Sequence, residues 1–190
     1  MKYDTIQGLE KKISKLILGN DNQTEYDSAA ELWDHWIKVG GNAFDNAHIY
    51  GGGLMEKLLG EWHIKRNNRE SLVIIAKGAH TPNCNPQGVS DQLTESLERL
   101  KIDCADIYIM HRDNIDVPVD EFIDVLNKEK DKGRIKIFGG SNWTLNRFRD
   151  ANNWANKNNK QPMSILNNNL SLSKMIQPLW DGCISSNDEN

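Results

Sequence analysis

Short apolar runs rich in β-branched residues alternate along this chain with longer amphipathic stretches. The runs fall at residues 13–18, 42–44, 72–76, 106–110, 135–138 and 163–166. Between them apolar side chains recur at helical spacing, as at Ala29, Leu32, Trp33, Trp36 and Ile37, or at Leu93, Leu97 and Leu100. The runs restart at roughly thirty residues, the length of one strand, one helix and two loops. Runs without polar alternation predict strands covered on both faces, as crossover helices between parallel neighbours require. Punctuation agrees: residues 24–28 offer capping side chains before Ala29, Ser90 precedes Asp91 and Gln92, and Gly40-Gly41 and Gly133 stop helices. Residues 2–18, with a turn around Gly8, can alternatively form a small hairpin that leads into the first repeat strand.

Six such units leave two α/β architectures, an open doubly wound sheet or a (β/α)8 barrel of the TIM type. Both place function at the C-terminal ends of the strands. The barrel is favoured because chemistry-bearing residues follow strand after strand in unbroken order, whereas an open sheet focuses its ligand at one switch point. A closed barrel takes about 250 residues. At 190 residues the chain reads as a single barrel domain with about six of eight units, and residues 173–190 read as an irregular tail without a seventh strand.

Composition narrows the function classes. The net charge is −4 and acidic and basic residues are interleaved, as in Lys128-Glu129-Lys130-Asp131-Lys132, so neither a nucleic acid nor an anionic membrane is an expected partner. Three cysteines, Cys84, Cys104 and Cys183, at irregular spacing argue against a disulfide framework and for the cytoplasm. No stretch approaches eighteen apolar residues, and the N-terminus lacks a signal-peptide core.

Four polar residues stand where predicted strands end: Asp45, Tyr50 five residues later, Lys77 and His111. Parallel neighbours would bring them to one rim. A phenol is a poor acid at neutral pH, but a cation near its oxygen stabilises the phenolate; at ~4 Å and an effective dielectric of ~20 the attraction is about 4 kcal/mol. Lys77 is the candidate cation, Asp45 the carboxylate that keeps it charged, and His111 the group that hydrogen-bonds a substrate oxygen as charge develops. The plainer reading is a rim salt bridge between Asp45 and Lys77 with the other two incidental, and it does not account for all four.

Other motifs have simpler explanations. Gly51-Gly52-Gly53 lacks the remainder of either phosphate-binding fingerprint and reads as a turn into a helix. His111-Arg112-Asp113 spells a kinase triplet without its glycine-rich loop or Asp-Phe-Gly. His80 and Cys84 have metal-like spacing, but two ligands do not close a zinc site, so they read as loop residues beside a substrate mouth. Trp33, Trp36, Trp62 and Trp154 read as packing against the sheet, and Trp143 either lines the pocket or packs.

Residues 42–51 (Asn-Ala-Phe-Asp-Asn-Ala-His-Ile-Tyr-Gly), Ile75-Ala76-Lys77-Gly78, Asp106-Ile107-Tyr108-Ile109-Met110-His111-Arg112 and Gly139-Gly140-Ser141-Asn142-Trp143 resemble, in order and spacing, the signature segments of the aldo-keto reductase family. The resemblance runs from about residue 10 to about residue 172. It implies a (β/α)8 barrel preceded by a hairpin and reduction of aldehydes or ketones with NADPH. By the same resemblance Tyr50 is the general acid, Asp45 and Lys77 its tuning pair and His111 the substrate-orienting residue, with Ser141 and Asn142 on the nicotinamide carboxamide. Asn167 stands where the family carries a glutamine, and Asp21 follows the first strand beside the cofactor. The family's later phosphate-binding segment has no counterpart here, so the chain resembles the first three quarters of a reductase. Two other expectations remain open, a catalytically silent nucleotide-binding regulatory subunit and an inactive gene fragment.

Overall fold

The computed structural model describes residues 1–173 and 175–186. Tyr3–Asp4 (β1) and Ile13–Ser14 (β2) pair antiparallel as a small hairpin. The apolar run at 13–18 is therefore not one strand. Ser14 interrupts it: its hydroxyl donates to the Leu16 carbonyl at 2.7 Å and accepts from Asn42 N–H at 3.2 Å, leaving Leu16 and Ile17 exposed. The repeat sheet begins only at Leu18–Gly19 (β3).

From there strand and helix alternate: Tyr26–Lys38 (α1), Ala43–Asp45 (β4), Leu54–Arg66 (α2), Val73–Gly78 (β5), Pro86–Leu100 (α3), Ala105–Met110 (β6), Val119–Asp131 (α4), Ile135–Gly140 (β7), Leu145–Lys157 (α5) and Ile165–Leu166 (β8). The six strands β3 to β8 are parallel, and each lies beside its successor in the chain. A doubly wound sheet would reverse its strand order at a switch point, and this one does not.

The packing agrees. Residues from all five helices, among them Trp33, Leu59, Leu93, Phe122 and Ala151, join Phe44, Ile74, Tyr108 and Phe138 in one apolar cluster on the outer face of the sheet. The alternate strand positions Ala43, Val73, Ile75, Ile107, Ile109 and Ile137 form a second, inner cluster, closed by Leu9 and Ile13 from the N-terminal segment. Helices outside and apolar side chains within are the layers of a (β/α)8 barrel, of which six strands are present among the described residues. Trp33 and Trp62, both fully buried and 5.5 Å apart edge to face, each contribute roughly 4–6 kcal/mol of gross apolar transfer to the outer layer.

One cap differs from the sequence expectation. Helix α3 starts at Pro86 rather than near Ser90, because Asn85 accepts from Gly88 N–H at 2.8 Å and Pro86 brings the fixed φ suited to a first helical position. Ser90 lies inside the helix and donates to Glu129 Oε1 at 2.8 Å. Gly133, at φ 75°, ends α4 as its position predicts.

At the base of the sheet Asp106 is buried and receives three partners. Lys11 Nζ lies 3.1 Å and Arg69 Nη1 2.9 Å from its oxygens, and Ile74 N–H donates at 2.9 Å. The cluster ties the N-terminal segment and the α2–β5 connection to β6. The described part of the 173–190 tail carries a single parallel bridge, Ser185 to Asn169, while Lys174 and residues 187–190 lie outside the described residues. Among the described residues no helix is long and apolar enough to cross a membrane.

Candidate active site

Strand register brings the polar residues together. Asp45 pairs with Ile75 and Lys77 with Ile109, so Asp45 and Lys77 have the inward alternation of Ala43, Val73 and Ile75. Continuing the same alternation past β6, β7 and β8 gives His111, Ser141 and Asn167. Each is the residue at which inner apolar positions give way to polar ones. His111 N–H donates to Gly78 O, Ser141 N–H to Met110 O and Asn167 N–H to Gly140 O, which extends the parallel ladder one step beyond each strand.

Lys77 is at the centre. Its ammonium donates to the Tyr50 hydroxyl oxygen at 2.8 Å and lies 2.9 and 3.0 Å from the two Asp45 oxygens. The phenol accepts that bond and so keeps its own O–H for another acceptor. Burial disfavours the Lys77 charge, but Asp45 and Tyr50 outweigh it, and the net shift of the ammonium is upward. His111 stands edge-on to Tyr50 with ring centroids 5.8 Å apart, and its Nδ1 is buried without a partner among the described residues. Burial first, then the Lys77 and Arg112 cations, push its pKa down to about 2, so the imidazole is neutral. All four polar residues singled out in the sequence therefore meet: Tyr50, Lys77 and His111 line one open cleft of about 160 Å³, and Asp45 stands behind Lys77.

The remaining assigned residues divide. Ser141, Asn142 and Asn167 line the same cleft. Ser141 Oγ donates to Asn167 O at 2.7 Å, and Asn142, in the left-handed region at φ 59°, donates to Ser141 Oγ at 3.1 Å and to His111 O at 3.3 Å. Asp21 is exposed and outside the cleft lining; its neighbour Asn20 is the buried member of that turn, donating to Asn46 Oδ1 at 2.9 Å and accepting from Trp33 Nε1 at 2.7 Å.

Four lining residues carried no assignment: Arg112, Asn168, Asn169 and Trp180. Arg112 directly follows His111, and its guanidinium stands 5.8 Å from the Trp180 ring. Trp180 lies in the segment that the sequence marks only as irregular, where no periodicity signals a role. Trp143 proves to be packing: it is fully buried against Phe122, 6.0 Å between centroids, with the brace of Asn168 on its backbone. His80 is outside the cleft lining, its ring centroid 5.0 Å from that of His111, while Cys84 is buried, donates to Arg112 O and has its thiol pushed up to about 12, mainly by burial. Among the described residues no three ligating side chains converge on a metal position.

Comparison with known proteins gives the site a family. The sequence model of the aldo/keto reductase family matches residues 15–179. The chain is 28% identical over 162 residues to the uncharacterized oxidoreductase YrpG of Bacillus subtilis, covering 75% of this chain and 50% of that protein. It is 29% identical over 126 residues to the Schizosaccharomyces pombe aldo-keto reductase yakc [NADP(+)], covering 62% and 37%. A probable voltage-gated potassium channel subunit beta of Oryza sativa is 27% identical over 168 residues, covering 83% and 51%. The chain thus spans about half the length of the curated relatives it matches. In three dimensions it resembles the thermostable aldo-keto reductase Tm1743 with a TM-score of 0.74 at 27% identity, covering 87% of this chain and 61% of that one. With its family model matched over most of its length and its fold resembling that of a solved aldo-keto reductase, the chain belongs to the aldo/keto reductase family.

Proposed function

We propose that this chain carries the proton-transfer end of an NADPH-dependent reductase that converts aldehydes or ketones to alcohols. The observation that carries the reading is the 2.8 Å contact between Lys77 Nζ and the Tyr50 hydroxyl on the wall of the cleft. When bound, NADPH supplies the hydride that reaches the carbonyl carbon. Tyr50 gives its O–H proton to the carbonyl oxygen. Lys77 then stabilises the phenolate left behind, with roughly 6 kcal/mol of gross attraction at this distance and an effective dielectric of ~20. Asp45 keeps Lys77 charged despite its burial. His111, neutral and on the wall of the cleft, offers a ring N–H to the substrate oxygen without competing for the proton.

The cleft residues suit a nicotinamide amide: Ser141, Asn142 and Asn167 bring two carboxamides and a hydroxyl to the side of the tetrad. The name of the yeast relative, which includes NADP(+), supports that cofactor. Three thiols with no disulfide among them suit a cytoplasmic setting. The likeness to channel β subunits fits a silent, nucleotide-binding regulator without favouring it; an intact proton donor, cation and carboxylate favour turnover. Reduction of 4-nitrobenzaldehyde by the chain tests the reading. Tyr50→Phe is expected to lower turnover by ~10² or more with NADPH affinity nearly unchanged. Wild-type turnover in that variant would refute Tyr50 as donor.

A further inference from the structure

Arg99, on α3, lies outside the cleft, yet it meets the loop that carries Tyr50 on both sides. Its Nη1 donates to the His48 carbonyl at 3.1 Å and lies 3.3 Å from Glu56 Oε2. Its Nη2 donates to Glu95 Oε2 at 2.7 Å, the same oxygen that lies 2.9 Å from His48 Nε2. A Cβ added to Gly53 would stand 2.6 Å from Arg99 Cζ and Nη1, so the glycine backbone and the guanidinium are in direct contact. His48 precedes Tyr50 by two residues and Gly53 follows it by three.

The loop needs such a partner. Gly51, Gly52 and Gly53 hold φ values of 55°, 62° and 91°, three successive left-handed positions without a side chain to fix them. Ordering each residue costs about 1–2 kcal/mol, so contacts from outside must hold the segment. On the far side of the loop Glu56 is fully buried, and burial raises its carboxyl while Arg99 opposes that shift. A lone cation could satisfy Glu56; only a planar fork reaches His48, Glu56 and Glu95 together while lying against Gly53.

We propose that Arg99 is a positioning residue for the proton donor, clamping residues 48–53 so that the Tyr50 hydroxyl stays on Lys77 and faces the cleft. The proposal rests on the reading of Tyr50 given above. It is tested by comparing the wild-type chain with Arg99→Lys, in backbone amide exchange and in reduction of 4-nitrobenzaldehyde by NADPH. Amides at 46–55 are expected to exchange about tenfold faster in the variant while β5 and β6 keep their protection. Turnover is expected to fall about tenfold, with Michaelis constants for aldehyde and NADPH within about twofold of wild type. Unchanged exchange at 46–55 overturns the clamp whatever the turnover, and so does protection lost equally from β5 and β6, the mark of a general structural role. Should Arg99→Lys fail to fold, Glu95→Ala removes the solvent-side brace shared by Arg99 and His48. Exchange at 46–55 is then expected to rise about threefold, and no rise overturns the proposal. Tyr50→Phe separates the two readings. Full turnover in Tyr50→Phe overturns the donor assignment and the positioning role with it, whereas a silent Tyr50→Phe beside a fully active Arg99→Lys overturns the clamp alone.

Discussion

The backbone N–H of Ile184 donates to the Asn142 carboxamide oxygen at 3.1 Å, so a segment after β8 already holds a position that the proposed cofactor needs. Asn169 fastens this segment, donating from its N–H to Ile184 O at 3.1 Å and accepting from Ser186 N–H at 2.7 Å. Ile184→Pro removes the donor without touching the tetrad. It is expected to tighten NADPH binding about threefold, read by quenching of tryptophan fluorescence. An unchanged or weaker affinity would show that Ile184 does not compete for Asn142.

A second expectation concerns alkaline pH. Asp45 is the leading partner that holds the Lys77 ammonium above its ordinary value, so the stability this charge contributes is present below pH 10.5 and is lost as pH rises through the raised value. In Asp45→Asn burial is no longer outweighed to the same extent, and the shift moves downward. The alkaline fall of turnover should then begin about one pH unit lower than in wild type. Coincident pH–rate profiles would remove Asp45 from the tuning of Lys77.

At acid pH the sign reverses. Neutral His111 binds fewer protons than the unfolded chain between about 2 and its ordinary value of 6.5, so stability rises with pH across that window and is lost as pH falls through 6.5. His63, lowered chiefly by burial, adds to the same slope. His111→Gln should flatten the decline of melting temperature below pH 6.5. A slope equal to that of wild type would assign the acid lability to His63 and the carboxylates instead.

Asp106 permits a prediction independent of catalysis. Asp106→Ala strips Ile74 N–H of its acceptor and leaves Lys11 and Arg69 facing one another, and about 2–4 kcal/mol of stability should be lost. Asp106→Asn retains an acceptor for Ile74 and should cost less, with both values read from urea unfolding. Equal losses would mean that the charge, rather than the hydrogen bond, carries the effect.

The residues that could be read from the chain are those whose position follows from strand polarity. Asp45, Lys77 and His111 end inward-facing alternations, and such an alternation points them to one rim before any contact is known. Ile13 was harder, because apolar content alone cannot distinguish one strand from two separated by a Ser14 hydroxyl turn. Ser90 looked like a cap on residue type, yet Asn85 beside Pro86 supplies both the acceptor and the fixed φ. Trp180 and Arg99 gave no signal: one reaches the cleft through an aperiodic segment, and the other acts through a loop that belongs to a different βα unit. Their contacts arise from tertiary geometry that no local pattern encodes.

All six parallel strands run the same way, so Tyr50 and Lys77 sit at one end of the sheet and the Asp106 cluster is anchored at the other. The two ends share no side chain. Substitutions around Lys11, Arg69 and Asp106 should therefore move the melting temperature with little change in turnover, while those around Asp45 and His111 should act on turnover first and on stability mainly through the alkaline and acid windows of Lys77 and His111. An engineer could harden the base first and then use the gained tolerance to vary the cleft, treating durability and selectivity as separate dials on one molecule.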